Sequence, residues 1–225
     1  MAKRVLDLLL GTILALVALP VILFLALLVA VSIRAWPLFV HERVGKGGRS
    51  FRCPKLRTLP RGTPAYAMKI DIPVVAQGRV ARFLRRTHLD ELPQLLLVPF
   101  GKMSLVGPRP KMPDGYEPVD PTYAMVRGQV TQGCTGLWQI SRHKSGMPHQ
   151  SPDYDYFYVQ HQSIALDLWI LWRTALGMAG IGRPIELRDV PAVLVRMGTA
   201  RSGRYLRPQS DHLIWNAAAW DTAVS

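Results

Sequence analysis

The run from Leu8 to Ile33, LLLGTILALVALPVILFLALLVAVSI, contains no charged residue. At ~1.5 Å rise per residue, about 26 helical residues reach ~39 Å, more than the ~30 Å of a bilayer's hydrocarbon core. The run therefore predicts insertion into a membrane. It is too long for the apolar core of a signal peptide, and no A-x-A cleavage pattern follows it. Pro20 lies in its middle. Proline removes a backbone hydrogen bond and clashes with the preceding turn, which predicts a kink between Leu16 and Pro20. Lys3 and Arg4 precede the run, while Arg34, Arg43, Lys46, Arg49 and Arg52 follow it. Lys and Arg concentrate on the cytoplasmic side of membrane helices. A re-entrant helix-break-helix places both flanks there, and a single span places only one. The span with a tolerated proline stays open as the alternative.

The chain has 225 residues, enough for one domain with its own core. It carries 28 Lys and Arg against 15 Asp and Glu, a formal charge of +13. That excess implies an anionic partner: nucleic acid, anionic lipid or a phosphorylated substrate. Hydrophobic residues make up 49% and the mean hydropathy is +0.12, which favours a membrane surface over DNA. Cys53 and Cys134 form no CxxC pair, so neither a zinc site nor a disulfide framework is expected, and a reducing, cytoplasmic setting fits. The histidines show no metal-ligand spacing and read as ordinary residues.

Beyond the apolar run, LFVHERVGKGGRSFRCPKLRT alternates apolar and polar residues about a turn at Gly45 to Gly48, the pattern of a β-hairpin. GKGG lacks the spacing and the Lys-Ser/Thr ending of a P-loop. Residues 59–78 read as a turn-rich loop. RVARFLRR (79–86) has helical spacing, with Val80, Phe83 and Leu84 on one side and arginines on the other. GPRPKMPDGYEPVDP (107–121) is rich in proline and reads as largely non-helical. SIALDLWILWRTALGM (163–178) reads as a helix with Ile164, Leu168, Leu171, Trp172 and Ala175 on one face. Trp169 and Trp172 beside Arg173 suit a membrane interface, and a buried core helix is the competing reading. The tail 185–225 carries no readable motif.

In this basic chain, THLDELPQLL (Thr87 to Leu96) sets Asp90 and Glu91 side by side behind RFLRR. One reading is structural: Asp90 as an N-cap, Glu91 at the first helical position and Pro93 at the third, with both acids favouring the helix dipole. The other is catalytic. Arg85 and Arg86 precede the pair, Arg109 follows in GPRP, and Lys55 and Arg57 stand in KLRT. Arginine offers a planar fork suited to phosphate oxygens. Among cations, a carboxylate stays ionised and nucleophilic, and a second one can hold Mg²⁺ beside a diphosphate. Gln139 and Arg142, after GLW, are candidates to touch a nucleotide or sugar, with core or surface roles equally open.

RRTHLDELPQLL followed by MSLVGPRP resembles the bacterial sugar transferases, the small monotopic phosphoglycosyl transferases that move a phosphosugar onto polyprenol phosphate. KRVLDLLLG, ERVGKGGRSFRCPKLRT, GCTGLWQIS and DYFYVQHQSIALDLWILWRT extend the resemblance, in matching order, over about residues 3 to 180. It implies an α+β, monotopic membrane protein: a re-entrant helix-break-helix (1–36), a cytoplasmic-face catalytic domain with surface amphipathic helices and a small β-hairpin (37–184), and a tail (185–225). It implies Asp90 as nucleophile, Glu91 as its partner at Mg²⁺, and Arg85 and Arg109 as phosphate ligands; the residues themselves add Lys55, Arg57 and Gln139 as substrate-binding candidates. The implied partners are a UDP-sugar donor, undecaprenyl phosphate and membrane lipid, with UMP released and no nucleic acid. The implied location is the bacterial inner membrane. A homodimer is one oligomeric state left open, and sugar identity is not readable. His88, Leu97, Lys102, Leu19 and Leu56 depart from the family's usual Ser, Asn, Asp, Ser and Phe; Lys102 bears on the local metal or ion-pair network. Two other functions compete: an inactive scaffold in polysaccharide assembly, and a membrane-tethered nucleic-acid binder, for which no reader module is present.

Overall fold

The apolar run forms α1 (Ala2–Ile33), in a computed structural model that describes residues 1–59, 63, 78–113 and 120–195. The expected break at Pro20 is absent: the helix is continuous through it. A proline deletes one hydrogen bond, and here it is flanked on both sides by long stretches of Leu, Ala and Val, whose remaining ladder carries the helix across. Arg34 closes α1 in the left-handed conformation, φ 48°, where glycine is more usual.

One stripe of α1 is buried from end to end: Asp7, Gly11, Ala15, Ala18, Ile22, Leu25 and Val29. Their spacing of three and four residues keeps them on one helix face. The opposite face, including Leu9, Val17, Phe24 and Val31, is exposed and apolar. Polar groups pin the start of the helix. Lys3 Nζ donates to Asp167 at 2.7 Å, and Arg4 donates to the carbonyls of Val98 and Pro99 at 2.8 and 2.6 Å. Asp7 accepts from Ser104 Oγ and from the Leu105 amide, each at 2.9 Å. At the other end, Leu25 and Val29 pack with Leu56 and Leu84. Both ends of α1 thus rest on the same body, Met1–Val195. A Cβ on Gly11 would press into the Val98 side chain.

The hairpin forms as expected, with β1 (Leu38–Val44) antiparallel to β2 (Ser50–Leu56). Gly47 and Gly48 turn the chain with φ of 67° and 74°. His41 lies opposite Cys53, and Phe39 opposite Lys55. A second, parallel sheet was not legible beforehand: β3 (Ser104–Val106) pairs with β4 (Gly133–Thr135). Just past β3, Gly107 and Gly133 approach so closely that a Cβ on either would strike backbone atoms. This juxtaposition, with hydrogen bonds from Gly107 N to Thr135 O and from Gly133 N to Pro108 O, sets the course of the GPRP loop.

Around these sheets lie α2 (Arg79–Arg86), α3 (Pro121–Arg127), α4 (Asp153–His161) and α5 (Ile164–Met178). In α2 the buried residues are Ala81 and Leu84, and Val80 packs beside Leu84 as expected; Phe83, expected on the same side, is exposed. In α5 the face expected to be apolar is the outward one. Ile164, Leu168 and Trp172 are exposed, while Leu166, Asp167 and Ile170 are buried. The central core joins Leu105, Val106, Leu137, Tyr158, Leu166 and Ile170. Ile185 and Val190 are buried in that same core, so the stretch to Val195 is part of the body. The expected loop 59–78 falls mostly outside the described residues, as does the tail from 196.

Gly11→Val is expected to destabilise the fold by about 1–3 kcal/mol through overpacking against Val98, read as a lower chemical-denaturation midpoint in detergent. Val17→Ala, on the outer face, should stay within about 0.5 kcal/mol of wild type. Equal midpoints for both variants would contradict the docked stripe.

Candidate active site

The acidic pair lies in a 3-10 helix, Leu89–Leu97. Its cap is His88, which takes a left-handed φ of 57°, a conformation costly for any residue but glycine. Asp90 and Glu91 therefore occupy the second and third helical positions, and Pro93 the fifth. The reading of Asp90 as an N-cap is overturned, since the chain already turns at His88. A 3-10 helix has three residues per turn, so adjacent side chains diverge by ~120°. Asp90 and Glu91 accordingly meet different surroundings.

Glu91 is the hub. Its Oε1 accepts from Lys55 Nζ and from Arg109 Nη2, both at 2.6 Å, and its Oε2 accepts from Arg109 Nη1 at 3.2 Å. The arginine contact is two-pronged, the strong form of this pairing. Burial by itself would raise the Glu91 carboxyl, but the charges and hydrogen bonds of Arg109 and Lys55 hold it well below the usual carboxylate range. Glu91 in turn raises Arg109. The acid thus ties β2 to the GPRP loop.

Asp90 differs. It is buried, and among the described residues its carboxylate takes part in no hydrogen bond or ion pair. Burial and the neighbouring Glu91 push its carboxyl up, against the pull of Lys55, Arg85 and His88. A carboxylate with free lone pairs, short of solvation and within reach of two cations' fields, is chemically disposed to attack an electrophile that brings negative oxygens of its own.

The support of Arg109 comes from elements that the sequence did not single out. Arg127, at the end of α3, donates to the Arg109 carbonyl. Its Nε lies 2.9 Å from Asp155 Oδ2 in α4, a close ion pair without hydrogen-bond alignment. The Tyr123 hydroxyl also donates to Asp155, at 2.6 Å, and the Arg127 guanidinium lies over the Tyr123 ring, 5.0 Å from its centroid. From the hairpin, Val44 N donates to Lys111 O at 3.0 Å. No motif announces these residues, because a buried Arg–Asp pair 28 positions apart looks like two surface charges until the helices meet.

Of the residues expected at the site, Lys55, Glu91 and Arg109 come together, and Arg85 acts on Asp90 through its charge. Arg57 does not join them: its Nε donates to the Trp36 carbonyl at 3.1 Å, and its guanidinium covers the Phe39 ring. Gln139 sits close to Gly136, and its amide atoms are buried without a hydrogen-bond partner among the described residues. Lys102 is exposed, and Leu97 packs against the core. Among the described residues no group of three or more His, Cys, Asp or Glu gathers as a metal site.

The chain matches the family profile described as "Bacterial sugar transferase" over residues 1–180. It belongs to that family. This transferase is 34% identical over 190 residues to the "Exopolysaccharide production protein ExoY" of Rhizobium meliloti, covering 77% of the chain and 84% of the relative. It is 36% identical over 208 residues to the "UDP-glucose:undecaprenyl-phosphate glucose-1-phosphate transferase" of Caulobacter vibrioides, covering 85% of the chain and 69% of the relative. To the "Undecaprenyl-phosphate galactose phosphotransferase" of Salmonella typhimurium it is 33% identical over 159 residues, but this matches only 32% of that longer protein.

The depressed Glu91 carboxyl makes a pH prediction for this transferase. A carboxylate lowered on folding contributes stability above its unfolded value of about 4.3, and loses it as pH falls through the folded value. Wild type should therefore melt above Glu91→Gln by a constant margin from about pH 5 upward, and the margin should close as the pH is taken lower. A margin independent of pH down to strong acid would contradict the ion-paired state.

Proposed function

We propose that this transferase moves a sugar 1-phosphate from a UDP-sugar to undecaprenyl phosphate in two in-line displacements. The observation that carries the reading is a buried Asp90, unpartnered among the described residues, beside Arg85, Lys55 and the Glu91–Arg109 pair. In the first step a carboxylate oxygen of Asp90 forms a bond to the β-phosphorus. The bond from that phosphorus to the bridging oxygen breaks, and UMP leaves with the electron pair. In the second step an oxygen of the lipid phosphate attacks the same phosphorus and Asp90 departs as carboxylate, leaving a lipid-diphosphate sugar. Arg85, Arg109 and Lys55 are the groups that would offset the charge building on the phosphoryl oxygens. The names of the Caulobacter and Salmonella relatives, both undecaprenyl-phosphate sugar-phosphate transferases, support the substrate class.

Mg²⁺ fits this site in one way only. With two carboxylates and no third ligand gathered among the described residues, the protein alone makes no cage. Mg²⁺ is commonly held by one or two carboxylates together with substrate phosphates, so Glu91 would hold it jointly with the diphosphate. Bound there, the ion would supply a compact positive charge to phosphoryl oxygens. Lys55 and Arg109, which now occupy both Glu91 oxygens, would turn to the same phosphates.

The same reading places the transferase in the cytoplasmic membrane as a monotopic protein with its body on the cytoplasmic face. Its support is the unbroken stripe from Asp7 to Val29. A spanning helix would have to leave the body across ~30 Å of hydrocarbon, stripping that stripe of its packing. A helix sunk into one leaflet keeps it and still offers lipid the exposed apolar face, alongside Leu168 and Trp172 of α5.

Two experiments bear on these proposals. Protein incubated with UDP-sugar and no lipid acceptor should gain a hexose-phosphate-sized mass on the peptide that holds Asp90, with UMP released, whereas Asp90→Asn should fold normally and gain nothing. UDP as the stoichiometric product, or full turnover by Asp90→Asn, would sink the mechanism. For topology, Ala2→Cys and Ser50→Cys should both resist membrane-impermeant thiol reagents in intact cells; labelling of either from outside would refute the monotopic arrangement.

A further inference from the structure

His41 stands in the middle of β1, only 5% exposed, and among the described residues neither of its ring nitrogens has a hydrogen-bond partner. A neutral imidazole carries one N–H donor and one acceptor. Burying both unmatched disfavours folding, and a strand position of this kind takes Val or Phe at no such cost. The ring is held by stacking on Phe39, with centroids 5.5 Å apart and planes 15° from parallel.

Its surroundings give the unmatched nitrogens a use. His41 lies opposite Cys53 and Phe39 opposite Lys55, so His41, Cys53 and Lys55 share one face of the hairpin. That face meets the acidic pair, because Lys55 is the residue that holds Glu91. On the same face Arg43 donates to the Pro110 carbonyl within GPRP. Burial, aided by the charges of Arg43, Lys55 and Arg109 and opposed by Glu91, pushes the imidazole down to about 3, so the ring is uncharged in any working range. A neutral donor thus lies within the field of three cations that suit phosphate. It adds direction there without a fourth positive charge.

We propose that His41 is a substrate-binding residue that donates a hydrogen bond to a phosphoryl oxygen once the diphosphate has drawn Lys55 and Arg109 from Glu91. This rests on the reading of the site as one for a UDP-sugar. The phosphate is that of the nucleotide donor or that of the lipid acceptor, and the two are separable by experiment.

The test compares wild type with His41→Phe, which keeps the ring on Phe39 and removes both nitrogens, and with His41→Gln, which restores a donor. Calorimetric titration with UDP, and separately with undecaprenyl phosphate in detergent, reads affinity without turnover. His41→Phe should melt at or above the wild-type temperature and bind UDP about tenfold more weakly, the loss of one hydrogen bond to a charged group. His41→Gln should bind within about threefold of wild type. A loss confined to undecaprenyl phosphate would assign the contact to the acceptor. Unchanged binding of both by His41→Phe, or weakening that tracks a lower melting temperature in both variants, would overturn the proposal while leaving the UDP-sugar reading intact. If His41→Phe yields no folded protein, His41→Met carries the same expectation. Wild type that neither binds UDP nor releases UMP from any UDP-sugar would sink both.

Discussion

Everything about the site depends on one acid shared by two cations. Glu91 takes Lys55 from the hairpin and Arg109 from the GPRP loop, and so joins three stretches of chain that are far apart in sequence. The arrangement is stable because the charges compensate where water is scarce. A buried carboxylate alone would protonate, and a buried guanidinium alone would be costly. Its consequence is a division of labour. Glu91 is ionised and occupied, whereas Asp90, one residue away, is left without a partner among the described residues. The 3-10 geometry makes the division possible by turning the two side chains to different surroundings.

A second constraint is the docking of α1. Both of its faces are rich in apolar residues, so burial of apolar area does little to choose which one meets the body. Polar contacts at the first two turns choose instead. Lys3, Arg4 and Asp7 find Asp167, the Val98 and Pro99 carbonyls, Ser104 and the Leu105 amide. These fix the rotation of the helix, and the small residues Gly11, Ala15 and Ala18 then let it lie close. Because Leu105 belongs to β3, which leads directly into GPRP, the long apolar helix and the loop that carries Arg109 hang from the same short strand.

Much of this was legible beforehand. The apolar run, the hairpin about Gly45 to Gly48, and the grouping of Lys55, Glu91 and Arg109 follow from local pattern and charge. The errors came where distant contacts decide. Arg57 reads like Lys55, two positions away, yet it ends on Trp36 and Phe39. Phe83 reads as the inner face of α2 and is exposed. Arg127, Asp155 and Tyr123 carry no motif, yet they hold the backbone of Arg109.

What the sequence by itself determined is what depends on neighbours along the chain: an apolar segment long enough for a membrane, a glycine turn, and an acidic pair among cations, in the order that marks the bacterial sugar transferase family. What only the tertiary structure decided is which of these groups are matched. A side chain's charge state and freedom depend on what it is buried against, and those partners come from elements tens of residues away. Hence two adjacent acids of nearly the same intrinsic pKa become a clamped anion and a carboxylate that has no partner among the described residues, and a histidine that the sequence leaves unremarkable becomes a buried ring whose two nitrogens are unmatched there.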